Sequence, residues 1–191
     1  MFTMRTLRAA LRRAPPDWFI AFRGPLFRVL PSRTPSHAIE TNPARAYRYN
    51  ASGAFRVLYA SVDRETAELE SRRLLETAAG LASVIDAYHV AVLRTEVRRL
   101  LNLRNTDVLS ALGTSAQELT GSWRPYLLEE KPAPTQVLGA AAVASSMVSG
   151  LWMPSSYATE ENPRTNVVLF LDCLLANESR MLVGYEAIAR S

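Results

Sequence analysis

In Val57-Leu58-Tyr59-Ala60-Ser61-Val62-Asp63-Arg64-Glu65-Thr66-Ala67-Glu68-Leu69-Glu70, a β-rich run passes straight into a helix signal. Val57 to Ala60 combine β-branched and aromatic side chains after Ser52-Gly53, which predicts a strand. Asp63 stands at the N-cap position and Glu65 falls in the first turn, so a helix is expected to about Ala79, with Gly80 ending it. On that helix Glu65, Glu68, Arg72 and Glu76 form a solvated charged stripe. Ala67, Glu70 and Leu74 share the other face, at i, i+3 and i+7 spacing. Glu70 is therefore a carboxylate on a face that should be buried. Two readings stay open at this point: an ion pair with an arginine or a place at the rim of the face, or a carboxylate kept for chemistry.

Outward from this unit the elements are mixed. Leu26 to Leu30 reads as a strand closed by Pro31, and residues 31–46 as a proline-rich loop. Val84 to Leu93 and Val97 to Leu103 read as two extended runs, the first with a helical alternative. Asp107 to Gly113 predicts a short helix, and Trp123 to Pro134 a loop. Pro134-Thr135-Gln136 opens an alanine-rich helix expected to end near Gly150. Leu151-Trp152-Met153, stopped by Pro154, and Asn166 to Leu171 read as strands. Strands and helices do not alternate regularly, which favours an α+β domain, a mixed central sheet with flanking helices, over a doubly wound sheet.

The chain has 191 residues, 48% hydrophobic and 21% charged, enough to bury a core without metal or disulfide. Its net charge of +4 is unevenly spread. Residues 1–50 carry nine arginines against Asp17 and Glu40, a net of +7, and the remainder carries −3. The first quarter is thus anion-seeking. Leu7, Ala10 and Leu11 with Arg8, Arg12 and Arg13 suggest an amphipathic docking helix, and residues 1–23 read as a basic helical extension before a domain of residues 24–191. The start has no long apolar core and no cleavage site, so it does not read as a secretory signal. Val137 to Met153, the most apolar stretch, is broken by Ser145, Ser146, Ser149 and Gly150 and is too short to span a membrane. Cys173 is the single cysteine, in an apolar run, and reads as a buried inert thiol in a reducing cytoplasm. With it and two histidines, His37 and His89, no zinc cluster can be assembled, and no metal is expected.

No Walker loop, GxGxxG, HExxH or GxSxG motif occurs. What does occur is an ordered set: Leu26-Phe27-Arg28-Val29, Tyr47-Arg48-Tyr49-Asn50, the strand–helix unit ending at Glu70, Pro134-Thr135-Gln136-Val137-Leu138-Gly139, Gly150-Leu151-Trp152-Met153-Pro154-Ser155-Ser156, and Thr165-Asn166-Val167-Val168-Leu169-Phe170. This order resembles the RES domain family, over about residues 24–172. The resemblance implies a fold similar to ADP-ribosyltransferase toxins and an enzyme that splits the nicotinamide–ribose bond of NAD. The acceptor is water, phosphate or, in a protein ADP-ribosyltransferase, a protein. It also implies a bacterial toxin neutralised by a cognate antitoxin with a helix-turn-helix. Residue by residue, it points to Arg28 and Arg48 for the cofactor, Tyr59 before the helix, Glu70 as the acidic residue, and Ser155, with Ser156 as the neighbouring alternative. The glycines often found before the second arginine are replaced here by Ala44, Arg45 and Ala46.

These residue types suit that chemistry. Arginine forks match the oxygens of a diphosphate, so Arg28 and Arg48 are candidates for holding NAD, and Arg45 is either an added contact or a solvated charge. A desolvated carboxylate at Glu70 would stabilise the positive charge that develops on the ribose. Tyr59 is either a stacking surface for the cationic nicotinamide ring or a core aromatic with its hydroxyl satisfied. Ser155 is placed to donate to a carboxylate or to bind phosphate. A rival from another class is a basic nucleic-acid-binding module using residues 1–50. The scattered arginines and the lack of a recognition helix speak against specific nucleic-acid binding.

Overall fold

The computed structural model describes residues 3–30, 38–76, 89–174 and 180–182. The elements, in chain order, are α1 (Met4–Arg12), β1 (Phe19–Leu30), β2 (Val57–Ser61), α2 (Arg64–Glu76), β3 (His89–Asn102), α3 (Thr106–Leu112), α4 (Ala116–Thr120), α5 (Arg124–Leu128), α6 (Pro134–Ser145), β4 (Gly150–Pro154), β5 (Thr165–Phe170) and β6 (Arg180–Leu182). Strand order is β1-β2-β5-β4-β3-β6, and β1 also pairs with β3. Five strands therefore close into a ring, with β6 added outside β3. Closure satisfies the strand edges internally. The sheet is mixed, because β3 and β4 run parallel while the other pairs are antiparallel. The chain is a single α+β domain.

Side-chain alternation along the strands sorts the core into two clusters. One fills the ring with Leu26, Leu58, Leu93, Leu100, Val167 and Leu169. The other lies outside it, where Val57, Val168, Phe170 and Leu151 meet Leu7 and Leu11 of α1, Val108 and Leu112 of α3, and Leu138 and Ala142 of α6. The apolar face of α1 is thus spent on α6, while Arg5, Arg8, Arg12 and Arg13 remain exposed. Strand β1 begins at Phe19. Among the described residues no helix is long and apolar enough to cross a membrane.

Several elements differ from the sequence expectation for identifiable reasons. The two extended runs around residue 95 are one strand, β3, because Arg94, Thr95 and Glu96 between them stay paired with Pro25, Gly24 and Arg23 of β1; a bulge follows, where the register with β1 shifts between Ile20 and Phe22. Arg99 at the bulge has φ 61°. Its Nε donates to Met147 O at 2.6 Å, and its guanidinium lies 4.2 Å from the Phe19 ring centre. Within the expected loop 123–134 the chain forms α5, since Pro125 falls in the first turn, where a helix tolerates proline. Helix α6 stops at Ser145, with Ser146 left-handed at φ 58°, and Gly150 is the first residue of β4. Leu74 and Glu76 lie outside the described side chains, and His37, Ala79, Gly80 and Val84 outside the described residues. Cys173 is buried and its thiol pKa is pushed up by burial, with Asp172 adding to the effect.

One glycine sets the distance between α6 and the loop before β2. A Cβ on Gly139 would stand 2.0 Å from Tyr49 O. Helix α6 also grips this loop through Gln136, whose Nε2 donates to Tyr47 O at 2.9 Å. Gly139→Ala should therefore destabilise the domain by about 1–3 kcal/mol, the range for overpacking, despite alanine's better helix propensity. Urea unfolding of the two proteins measures this, and an unchanged or raised midpoint would refute the close approach.

Candidate functional site

Glu70 sits two turns into α2, and the start of that helix is firmly held. Asp63 caps it: Thr66 N donates to Asp63 Oδ1 and Thr66 Oγ1 to Asp63 Oδ2, both at 2.7 Å. Arg164, whose side chain is 10% exposed, reaches from just before β5 to Glu65 Oε1 at 2.5 Å and Thr66 Oγ1 at 3.3 Å. Ala67 is buried and Glu70 half-buried, while Glu65 and Arg72 are exposed. The inward face is the one that the periodicity indicates.

Four groups donate to Glu70. Its Oε1 accepts from Ser155 Oγ at 2.6 Å, Asn166 Nδ2 at 2.7 Å, Ser156 N at 3.2 Å and Ser156 Oγ at 3.3 Å. Its Oε2 has one long contact, Ser156 Oγ at 3.5 Å. Every partner of Glu70 among the described residues is neutral, and none of them forms an ion pair with it. Ser155 and Ser156 both meet the carboxylate. Ser155 is 2% exposed, has the shorter bond, and accepts from Tyr157 N at 3.1 Å. Its single hydroxyl proton is committed to Glu70. The turn that carries it is fixed by Ser155 N donating to Arg164 O at 3.0 Å. Asn166 in turn accepts from Ser61 Oγ at 2.7 Å, across the register pair Ser61↔Asn166 of β2 and β5. Asn166, Ser61 and Arg164 were not singled out from sequence. A signal existed for Asn166: it is an amide placed directly before the apolar run Val167 to Phe170.

The second group surrounds Tyr59, which alternates with Ser61 on the same face of β2. The Tyr59 ring lies 5.9 Å from that of Tyr47 and 6.5 Å from that of Tyr49. Its hydroxyl accepts from Tyr49 N at 3.0 Å. Burial pushes the Tyr59 phenol pKa up, against the opposing pull of that amide bond and of Arg48. Tyr49 is fully buried, with its phenol pKa also raised by burial. Arg48 Nη1 donates to Leu119 O at 2.9 Å and Gly121 O at 2.6 Å, which clamps the end of α4. Arg28 donates from Nη1 to Ala38 O at 2.9 Å and from Nη2 to Glu40 O at 3.0 Å. Burial lowers its pKa, and the nearby Tyr47 and Glu40 offset part of that. Arg45 is exposed, with its guanidinium 5.6 Å from the Tyr47 ring centre.

The structure therefore joins Glu70 directly to Ser155 and Ser156, and Tyr59 to the backbone of the Arg48 segment. Both arginines spend donors on backbone carbonyls. An open cavity of about 490 Å³ lies apart from Glu70, lined by Ile20, Asn102, Arg104, Asn105, Thr106 and Trp152. A smaller one of about 100 Å³ is lined in part by Gly121, Trp123, Tyr126 and Thr135.

The RES domain model matches residues 25–181. The chain belongs to the RES domain family. Comparison with curated protein sequences gives no match. Among solved structures, this RES domain is similar to the MbcT–MbcA toxin–antitoxin complex of M. tuberculosis. The likeness covers 93% of this chain and 89% of the other, with a TM-score of 0.68 and 15% sequence identity. At that identity the likeness is one of fold.

The tyrosines of this RES domain offer a paired test. Tyr59→Phe removes the acceptor of a buried amide and should cost about 1–3 kcal/mol. Tyr49→Phe removes a buried hydroxyl that has no hydrogen-bond partner among the described residues, and should leave stability unchanged or raise it. Thermal melts of the two variants should rank in that order; the reverse order would remove the structural role given to the Tyr59 hydroxyl.

Proposed function

We propose that this RES domain is a toxin enzyme that cleaves the nicotinamide–ribose bond of NAD. The observation that carries the reading is a half-buried carboxylate whose partners among the described residues are all neutral donors. A carboxylate kept for stability alone would be expected to pair with a cation. Neutral donors hold Glu70 in place without cancelling its field, and that field suits a substrate that becomes cationic. When the C–N bond to nicotinamide breaks, the electron pair leaves with the ring nitrogen and neutralises the ring. The ribose is left with oxocarbenium character. Glu70 stabilises this charge and accepts a bond from a ribose hydroxyl.

The arginine and tyrosine group takes the rest of the substrate in this reading. Arg28 and Arg48 face the diphosphate, and Tyr47 and Tyr59 form the aromatic wall for the nicotinamide ring. Ser155 acts through Glu70, because its proton is already given to that carboxylate. Inorganic phosphate or water is the acceptor. The structural neighbour was solved as a toxin–antitoxin complex, and by extension we assign this chain a protein antitoxin as its partner. We place its work in the cytoplasm, where NAD is found.

Glu70→Gln keeps the size and removes the charge, and should lower NAD cleavage by on the order of a hundredfold or more. Its melting temperature should hold or rise, since desolvation of the charge is relieved. Glu68 pairs with Arg64 at 2.8 Å on the outer face, so Glu68→Gln is the control and should retain activity. Chromatography of the products formed with and without phosphate identifies the acceptor. Normal cleavage by a folded Glu70→Gln variant would refute the mechanism. Arg28→Lys and Arg48→Lys should each reduce turnover, because the fork is lost while the charge stays; full activity in both would exclude bidentate contact with the diphosphate.

A further inference from the structure

We infer that Glu70 works through one oxygen, Oε2, and that Asn166, oriented by Ser61, is the positioning residue that makes it so. The inference rests on the reading of Glu70 as the group facing the developing ribose cation. The two carboxylate oxygens are unequally used. Oε1 takes Ser155 Oγ at 2.6 Å, Asn166 Nδ2 at 2.7 Å and Ser156 N at 3.2 Å. Among the described residues, Oε2 has a single hydrogen-bond contact, Ser156 Oγ at 3.5 Å. An oxygen with three good donors has little capacity left for a substrate hydroxyl, whereas Oε2 keeps its lone pairs.

The donors differ in rigidity. Ser155 and Ser156 sit on the turn after β4. Asn166 lies within β5, paired with Ser61 of β2 on one side and Met153 of β4 on the other. Its amide also has one consistent orientation. The Glu70 carboxylate only accepts, so Nδ2 must face it, and Oδ1 is then left to accept the Ser61 hydroxyl proton at 2.7 Å. A flipped amide would set two acceptors against each other at Glu70. Ser61, Asn166 and Glu70 thus form a relay of neutral bonds that fixes the carboxylate plane from the sheet. An arginine in place of Asn166 would hold the carboxylate as well but would oppose the cation forming on the sugar.

The test measures kcat and KM for NAD cleavage in Asn166→Ala, Asn166→Asp, Ser61→Ala and the Ser61→Ala/Asn166→Ala double variant. Asn166→Ala should lower kcat by about tenfold or more, the effect of losing one bond to a charged group, with KM within about twofold. Ser61→Ala should lose less, and the double variant should match Asn166→Ala, since both act through one bond. In Asn166→Asp two carboxyl groups share one proton at low pH, and the protonated aspartate donates to Glu70 as the amide did. Its activity should therefore recover as pH falls, a limb that the wild type lacks. Unchanged kcat in folded Asn166→Ala, a loss confined to KM, or no acid recovery in Asn166→Asp would overturn the inference.

A readout without NAD separates this from the reaction itself. In ¹⁵N-labelled protein the Asn166 side-chain amide proton should resonate downfield and move upfield in Glu70→Gln. If the wild type leaves NAD intact, the proposed reaction falls, and this resonance still decides the relay: an unshifted signal in Glu70→Gln overturns it.

Discussion

A carboxylate placed against an apolar surface must be met by donors or by a cation, and the arrangement around Glu70 follows from the first solution. Its donors come from the turn after β4, from β5 and, through Asn166, from β2. Those segments are far apart in sequence, so the ring of strands has to close before the carboxylate is satisfied. Helix α2 then has one acceptable position, with Ala67 buried and Glu70 over the ends of β4 and β5. Arg164 reinforces it from the other side, holding Glu65 and Thr66 while its carbonyl anchors Ser155.

The outer core performs the same task for the second group. Tyr49, Tyr59 and Val57 pack where α6 crosses the loop before β2, and the missing side chain of Gly139 lets the helix approach Tyr49. Arg48 extends this loop to the end of α4 by bonding two of its carbonyls. The arginines are thus embedded in the scaffold that they help to shape. An arginine has five donors, so holding a loop and facing a phosphate are compatible roles for Arg28 and Arg48. The bulge at Arg99 comes immediately before Leu100, Leu101 and Asn102, the residues of β3 that pair in parallel with β4, and Ser155 follows β4 directly.

Local pattern made much of the architecture readable. The β-rich run at Val57 and the Asp63 cap place β2 and α2. The spacing of Ala67 and Glu70 gives the inward face, and Leu7 with Leu11 gives the docked face of α1. The ordered motifs carried the family, which the match over residues 25–181 bears out. These features are legible because each is set by residues within a few turns or one strand of each other. Pro125 and Gly150 were misread for the same reason: a proline or glycine signals a break locally, yet Pro125 starts a helix and Gly150 fits against Val168 O inside a sheet.

The sequence by itself determined that an acidic side chain lies on a buried helix face, that arginine dominates the first fifty residues, and that strands and helices mix in an α+β order. Only the tertiary structure decided what Glu70 meets. Periodicity fixes the direction of a side chain from its own helix but holds no information on partners 85 to 96 residues away. An arginine pair, a place at the rim and a carboxylate kept for chemistry all stayed open until β5 and the turn after β4 came together over α2. The same holds for Ser61, which looks like an ordinary strand end and gains its place in the site because β2 pairs with β5 at Asn166. Register, a property of two strands and not of either, made that choice.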